Sequence, residues 1–203
     1  MSADDPASTA PTDPPADPPA VPPARAPERQ EAVLRAVREL ERHVAAAGWD
    51  GPLRLFALVR TAFALARDPA LAERLPPDVV DAARIDPEHL TIVEQEGLPP
   101  AASLEEFLGG LAWPGTVDGA AVVTERIVIP PEAEARMPED PDEALAWLGR
   151  HPDRREVRLA VAVLRDGTNG CALRTRDHDR DADVATGPDL VPGLVEALAA
   201  TLA

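Results

Sequence analysis

The chain has no lysine and no tyrosine, one cysteine and three serines among its 203 residues. Each shortage removes chemistry. Without lysine there is no Schiff-base nucleophile, no P-loop lysine and no kinase-type phosphate lysine. The lone Cys171 excludes an intrachain disulfide and a cysteine-rich zinc site, and it suits a reducing compartment. Of Ser2, Ser8 and Ser103, none sits in a G-x-S-x-G elbow, and Ser103 reads as a helix cap, so serine hydrolysis is excluded. The histidines, His43, His89, His151 and His178, share no helical metal spacing and form no HExxH. No apolar run reaches membrane-spanning length, and the acidic start lacks the apolar core of a signal peptide. A cytoplasmic protein with no membrane partner is expected.

What is present is negative charge, alanine and proline. The formal net charge is −16. Residues 1–27 hold Asp4, Asp5, Asp13 and Asp17 against Arg25, so −3 of that charge sits there and −13 on the remainder. Such a field repels polyanions, and no nucleic-acid partner is expected. All twenty basic residues are arginine, a bias in keeping with a GC-rich genome. The apolar fraction of 45% is enough to bury a sizeable core. Nine of the 24 prolines fall in residues 1–27, a composition too poor in large apolar side chains to offset its ordering entropy. The expected organisation is a disordered leader over 1–27 and a single α+β domain over 28–203.

Within that domain, Val33, Val37, Leu40 and Val44 recur at helical spacing, with Gly48 suited to the left-handed position beyond the end and Trp49 expected to pack back on Val44. Leu53 to Arg60 reads as a strand, the alternative being a helix that starts at Phe56 and continues through the run Thr61 to Leu75. A short helix near Val79 to Arg84 and a strand over Leu90 to Glu96 follow. Ser103 and Glu106 frame a capping box for a helix with Leu104, Phe107, Leu108 and Leu111 on its apolar face. Gly119 to Ile129 is a β-branched strand, the segment 130–142 is an exposed Pro- and Glu-rich stretch, and Pro141 opens a short helix to Gly149.

Val157, Leu159, Val161 and Val163 alternate as a strand, followed by a turn over Asp166 to Gly170 and a second strand of a hairpin. A five-residue loop would set Val163 opposite Leu173 and Val161 opposite Thr175. Asp189 is the expected cap of a last helix with Leu190, Leu194, Leu198 and Leu202 as its stripe. The order predicts one antiparallel sheet of about five strands, helices packed mainly on one face, and a C-terminal hairpin plus helix. It is similar to the helix–strand order of secretion-chaperone folds, an analogy of fold alone.

The strings LERHVAAAGWD (40–50), RLFALVRTA (54–62), GCALRTRDHD (170–179) and TGPDLVPGLVEALAATL (186–202) together resemble a family of uncharacterised actinobacterial conserved proteins with no assigned activity. The resemblance implies an actinobacterial, cytosolic protein and supplies no catalytic residues.

The candidate sites are sparse. Asp177, Asp179, Asp181 and Asp183 have the spacing of a calcium loop, but the sixth position is Ala182 and the twelfth Pro188 where Gly and Glu are needed. No metal site and no cofactor are expected. Gly167-Thr168-Asn169-Gly170 matches a KH loop in letters only, lying between strands. Cys171 shares a strand face with Leu173 and reads as core. The one cationic constellation is Arg158, Arg174 and Arg176 on a hairpin face with Ala160, Ala162 and Ala172, joined by Arg126 from a neighbouring strand. As an open patch it would bind a carboxylate-bearing ligand or an acidic peptide; the alternative, and the commoner arrangement, is arginines paired with surface carboxylates on a solvated sheet face. No catalytic residues are assigned. The expected function is a non-enzymatic protein-binding or chaperone-like module whose partner is another protein or a second copy of the chain. The alternative is an enzyme using clustered carboxylates such as Glu94, Glu96 and Glu125.

Overall fold

A computed structural model describes residues 26–99 and 103–203. The expected leader falls outside the described residues except for Ala26 and Pro27, which already lie in the first helix, α1 (Ala26–Ala45). Then come β1 (Arg54–Arg60), α2 (Thr61–Arg67), a 3₁₀ turn at Pro69–Glu73, α3 (Pro77–Ile85), β2 (Leu90–Gln95) and α4 (Leu104–Gly109). The chain continues through β3 (Gly119–Val128), α5 (Pro131–Glu134), α6 (Pro141–Arg150), β4 (Arg155–Leu164), β5 (Asn169–Thr175), β6 (Ala185–Gly187) and α7 (Pro192–Ala200). The fold is α+β. Six strands form one open sheet in the order β2-β1-β3-β4-β5-β6, every neighbouring pair antiparallel.

Helices cover both faces of the sheet rather than mainly one. The reason lies in β3 and β4, whose central residues Ala120 to Val123 and Val157 to Leu164 are buried without alternation. Such runs belong to strands covered on both sides. One face packs under α1, where Val33, Val37, Leu40 and Val44 meet Phe56, Leu58, Val123, Ala160 and Ala172. The other face packs against α4 and α7, where Phe107, Leu108, Val195 and Leu198 meet Leu55, Val122, Val161, Val163 and Cys171. Gly170 lets α1 lie close on β5, since a Cβ there would meet Val33 at 3.1 Å and Leu34 at 3.2 Å.

The C-terminal hairpin departs from the expected loop. Leu164 N–H donates to the Thr168 carbonyl at 2.9 Å, closing a tight turn with Gly167 at φ +85. Val163 therefore faces Asn169, and Val161 faces Cys171. Glycine at that left-handed position makes the short turn favourable, and face membership is unchanged because the shift is even. Asp189 is not the cap of α7. It sits at φ +52, its N–H donating to Asn169 Oδ1 and its carboxylate accepting from Asn169 Nδ2, while Val191 precedes the helix without a side-chain cap. Ser103 does cap α4, accepting from Glu106 N–H at 3.1 Å.

Candidate functional site

The register of β4 and β5 sets Arg158 directly opposite Arg174. Two like charges at such a position repel unless something neutralises them. The expected open patch is in fact closed: α1 covers this face, and Arg158 is 0% and Arg174 2% exposed. Glu41, one turn before the end of α1 and itself 1% exposed, occupies the space between them. It accepts two hydrogen bonds from Arg174, at 2.6 and 2.7 Å, and its Oε1 stands 3.6 Å from Arg158 Nη1. Arg158 donates to Glu125 through Nε at 3.1 Å and Nη2 at 2.8 Å, and to the Gly48 carbonyl. Its Nη1 has no hydrogen-bond partner. The fork geometry of guanidinium matches these carboxylates, and hydrogen bonding to Glu41 raises the Arg174 pKa further.

Trp49 closes the network from above. Gly48 takes the left-handed position at φ +88, as expected, and Trp49 stacks on the guanidinium of Arg158 at 4.3 Å. Its indole N–H donates to Asp179 at 2.9 Å. Arg176 lies 5.6 Å from the same ring, pairs with Asp50 through two hydrogen bonds of 2.9 and 2.8 Å, and reaches Glu156 as well. Arg126 does not join. Strand alternation puts it on the opposite sheet face from Glu125, where it lines a trough with Leu98, Leu104 and Phe107. The structure thus gathers Arg158, Arg174 and Arg176, two of them sealed inside, and leaves Arg126 exposed elsewhere.

The remaining candidates are spoken for separately. Glu94 takes a bidentate pair from Arg54, both distances 2.6 Å, which holds its carboxyl below the usual carboxylate range. Glu125 belongs to Arg158, and Glu96 is exposed in the loop after β2. In the acidic loop, Asp179 and Asp181 accept from Arg174 at 3.3 and 2.7 Å, and Asp183 from Arg180 at 2.8 Å. Among the described residues no group of three or more His, Cys, Asp or Glu is placed to hold a metal ion. Cys171 is buried, and that burial pushes its thiol up. Trp113 is half-buried and packs against the core on this side of the sheet, its indole N–H donating to Thr201 at 3.1 Å.

Two surfaces stay open, and sequence patterning pointed to neither as a site. The first is the edge of the sheet at β2. The Leu58 carbonyl accepts from Asp118 N–H on the β3 side, so the even residues of β1 bond to β3 and its odd residues to β2. Thr61 N–H donating to the His89 carbonyl continues the second series. By antiparallel alternation, Thr91, Val93 and Gln95 spend their backbone groups on β1, while Leu90, Ile92 and Glu94 direct theirs outward. The second is an apolar groove of about 420 Å³ between α2 and the start of β3, lined by Val59, Phe63, Ala64, Leu71 and Val117. Phe63 is 39% exposed there, and the guanidinium groups of Arg60 and Arg67 lie 5.3 and 5.9 Å from its ring. A phenylalanine followed four residues later by arginine in a short helix was the only sequence signal for it. No described helix is long and apolar enough to cross a membrane.

A family model described as PPA1309-like protein matches residues 33–203. Because that match takes in most of the chain, the chain belongs to the PPA1309-like protein family. No curated protein and no solved structure matches it.

Proposed function

We propose that this member of the family is a non-enzymatic protein-binding module that takes an extended segment of a partner protein as an added strand on the free edge of β2. The observation that supports this most is the outward set of backbone groups at Leu90, Ile92 and Glu94. Exposed edges are ordinarily blunted by proline, lysine or a bulge. Here the strand runs Leu-Thr-Ile-Val-Glu-Gln with three β-branched residues in succession, Val93 is 46% exposed, and the one charged side chain, Glu94, is turned back onto Arg54. Strand addition of this kind draws affinity from main-chain hydrogen bonds and selectivity from alternate side chains. A chaperone-like role is the form of this reading in which the partner segment is held extended.

The reading includes a cytoplasmic setting, supported by the single buried cysteine, and an actinobacterial source, supported by the arginine-only, alanine-rich composition. The test is selection of random linear peptides on the full chain, followed by amide exchange measured by NMR with the enriched peptide bound. Ile92 and Glu94 amides, fast in the free protein, slow by about tenfold or more on binding. Enriched peptides that leave both amides unprotected refute strand addition at β2.

A further inference from the structure

The Phe63 groove carries a second inference, independent of the β2 edge. It continues past Phe63, Val117 and Asp118 into a further hollow of about 260 Å³ bounded by Arg29, Arg60 and Arg165. The two hollows form one trough with an exposed aromatic ring at its middle. Its apolar floor is surrounded by four arginines on a chain whose net charge is −16. Their pairing is uneven. Arg60 is held by Asp118 at 2.9 Å, and Arg29 by Glu88 and Asp166. Among the described residues Arg165 donates only to carbonyls, those of Trp113, Pro114, Val117 and Leu202. Arg67 is exposed and makes no ion pair among the described residues, its guanidinium resting near the Phe63 ring alone. Of the acidic groups along the trough, Asp118 is paired to Arg60 and Asp166 to Arg29, while Asp68, beside Arg67, accepts from Ala70 N–H at 3.1 Å as the cap of the 3₁₀ turn and makes no ion pair among the described residues.

An apolar floor with the unpaired guanidinium of Arg67 beside it selects an apolar side chain accompanied by a carboxylate. We infer that the trough binds a short acidic segment of a partner protein, with an apolar residue seated on Phe63 and an Asp or Glu beside it paired to Arg67. Arg67 supplies a planar fork suited to a carboxylate, and Phe63 supplies the aromatic anchor typical of recognition surfaces. The overall negative charge of the chain lowers the encounter rate with such a segment, whereas Arg67 acts at contact and sets which segment stays bound.

The test uses the full chain and three probes: acetyl-Asp-Leu-Phe-Glu-amide, the same peptide with Asn and Gln, and the same with two lysines. Binding is read by NMR titration of the Phe63 and Val117 signals. The acidic probe binds most tightly, and neutralising it weakens binding about fivefold per carboxylate paired at the surface. Arg67→Glu, a change at an exposed position, reverses the preference toward the lysine probe, and Phe63→Ala weakens every probe. Equal affinity for acidic and neutral probes, an unchanged preference in R67E, or no saturable shift at millimolar peptide each overturns the inference. The β2 amides report separately: their protection by a strand-adding peptide in R67E shows the edge reading intact whichever way the trough behaves.

Discussion

Removing the charge of Glu41 should be the most damaging single change to this fold that keeps side-chain shape. In Glu41→Gln the side chain keeps its length and one carbonyl acceptor, but Arg158 and Arg174 are left facing each other across β4 and β5 without the anion between them. Both guanidiniums are almost fully buried, and Arg158 Nη1 already lacks a hydrogen bond. Taking one partner from a buried ion pair typically costs about 3–5 kcal/mol, because the remaining charge stays desolvated. Arg174 retains Asp179 and Asp181, which lie at the surface and are screened, so the lower half of that range, about 3 kcal/mol, is expected. In urea, with a slope of about 2 kcal/mol/M, the midpoint falls by about 1.5 M at unchanged slope. The double variant Glu41→Gln with Arg174→Met removes the stranded charge as well and should be more stable than E41Q alone. The reasoning is refuted if E41Q costs less than about 1 kcal/mol, or if the E41Q and R174M effects add to within about 0.5 kcal/mol, since independent sites add and a coupled pair does not.

Trp49→Ala uncovers Arg158 and removes its stacking; calorimetric melting should show a loss of about 1–2 kcal/mol, and an unchanged melting temperature would contradict the capping role. Gly170→Ala drives a methyl against Val33 and Leu34 and should cost about 1–3 kcal/mol by chemical denaturation, with full retention of stability counting against a close α1–β5 approach. Cys171 should resist a water-soluble disulfide reagent in native buffer and react at once in denaturant, because it is buried and its thiol is pushed up; rapid native labelling would show that face to be open. The carboxyls of Asp50, Glu94 and Asp181 are held below the usual range by hydrogen bonds from Arg176, Arg54 and Arg174. Folding therefore favours their ionised forms, the unfolded chain binds more protons in acid, and the contribution present above the ordinary carboxylate range is lost as the pH falls through it. Thermal melts should be level above about pH 5 and decline below about pH 4, and level melts down to about pH 3 would refute this.

What could be read in advance follows the range of each interaction. The stripe Val33, Val37, Leu40 and Val44 is a local signal, and α1 carries it into the core. Strand alternation correctly put Arg158 and Arg174 on the face of Ala160 and Ala172, because parity survives an even shift of register. Whether that face is wet or covered is not a property of the hairpin. It depends on α1, more than a hundred residues earlier, whose Glu41 interrupts the apolar stripe just where the two arginines need an anion. An acidic residue among Leu40 and Val44, followed by Gly48-Trp49-Asp50, was the available sign. β6 and α5 are too short to leave a periodic pattern, and the edge status of β2 is a matter of strand order, which periodicity does not contain.

The placement of charge along α1 separates stability from binding. Near its start, Arg29 and Arg35 tie the helix to Glu88 and Asp86, on the approach to β2; near its end, Glu41 ties it to Arg174 on β5. The helix thus lies along β5, its start over Gly170 and its end over Arg174, with Arg29 and Arg35 reaching out to the loop before β2. Its C-terminal end is sealed by buried ions and by Trp49, and on the β2 side the core under α1 takes Ile92 by its side chain and leaves the outward backbone row untouched. A strand added beside β2 extends the ladder without disturbing any contact that holds α1 down. Variants at Glu41 or Trp49 should accordingly lower the melting temperature while leaving peptide affinity unchanged under conditions where the chain is folded, and changes at Arg67 should do the reverse. Co-variation of the two quantities across such a set would mean that the open surfaces form only when the arginine network is intact.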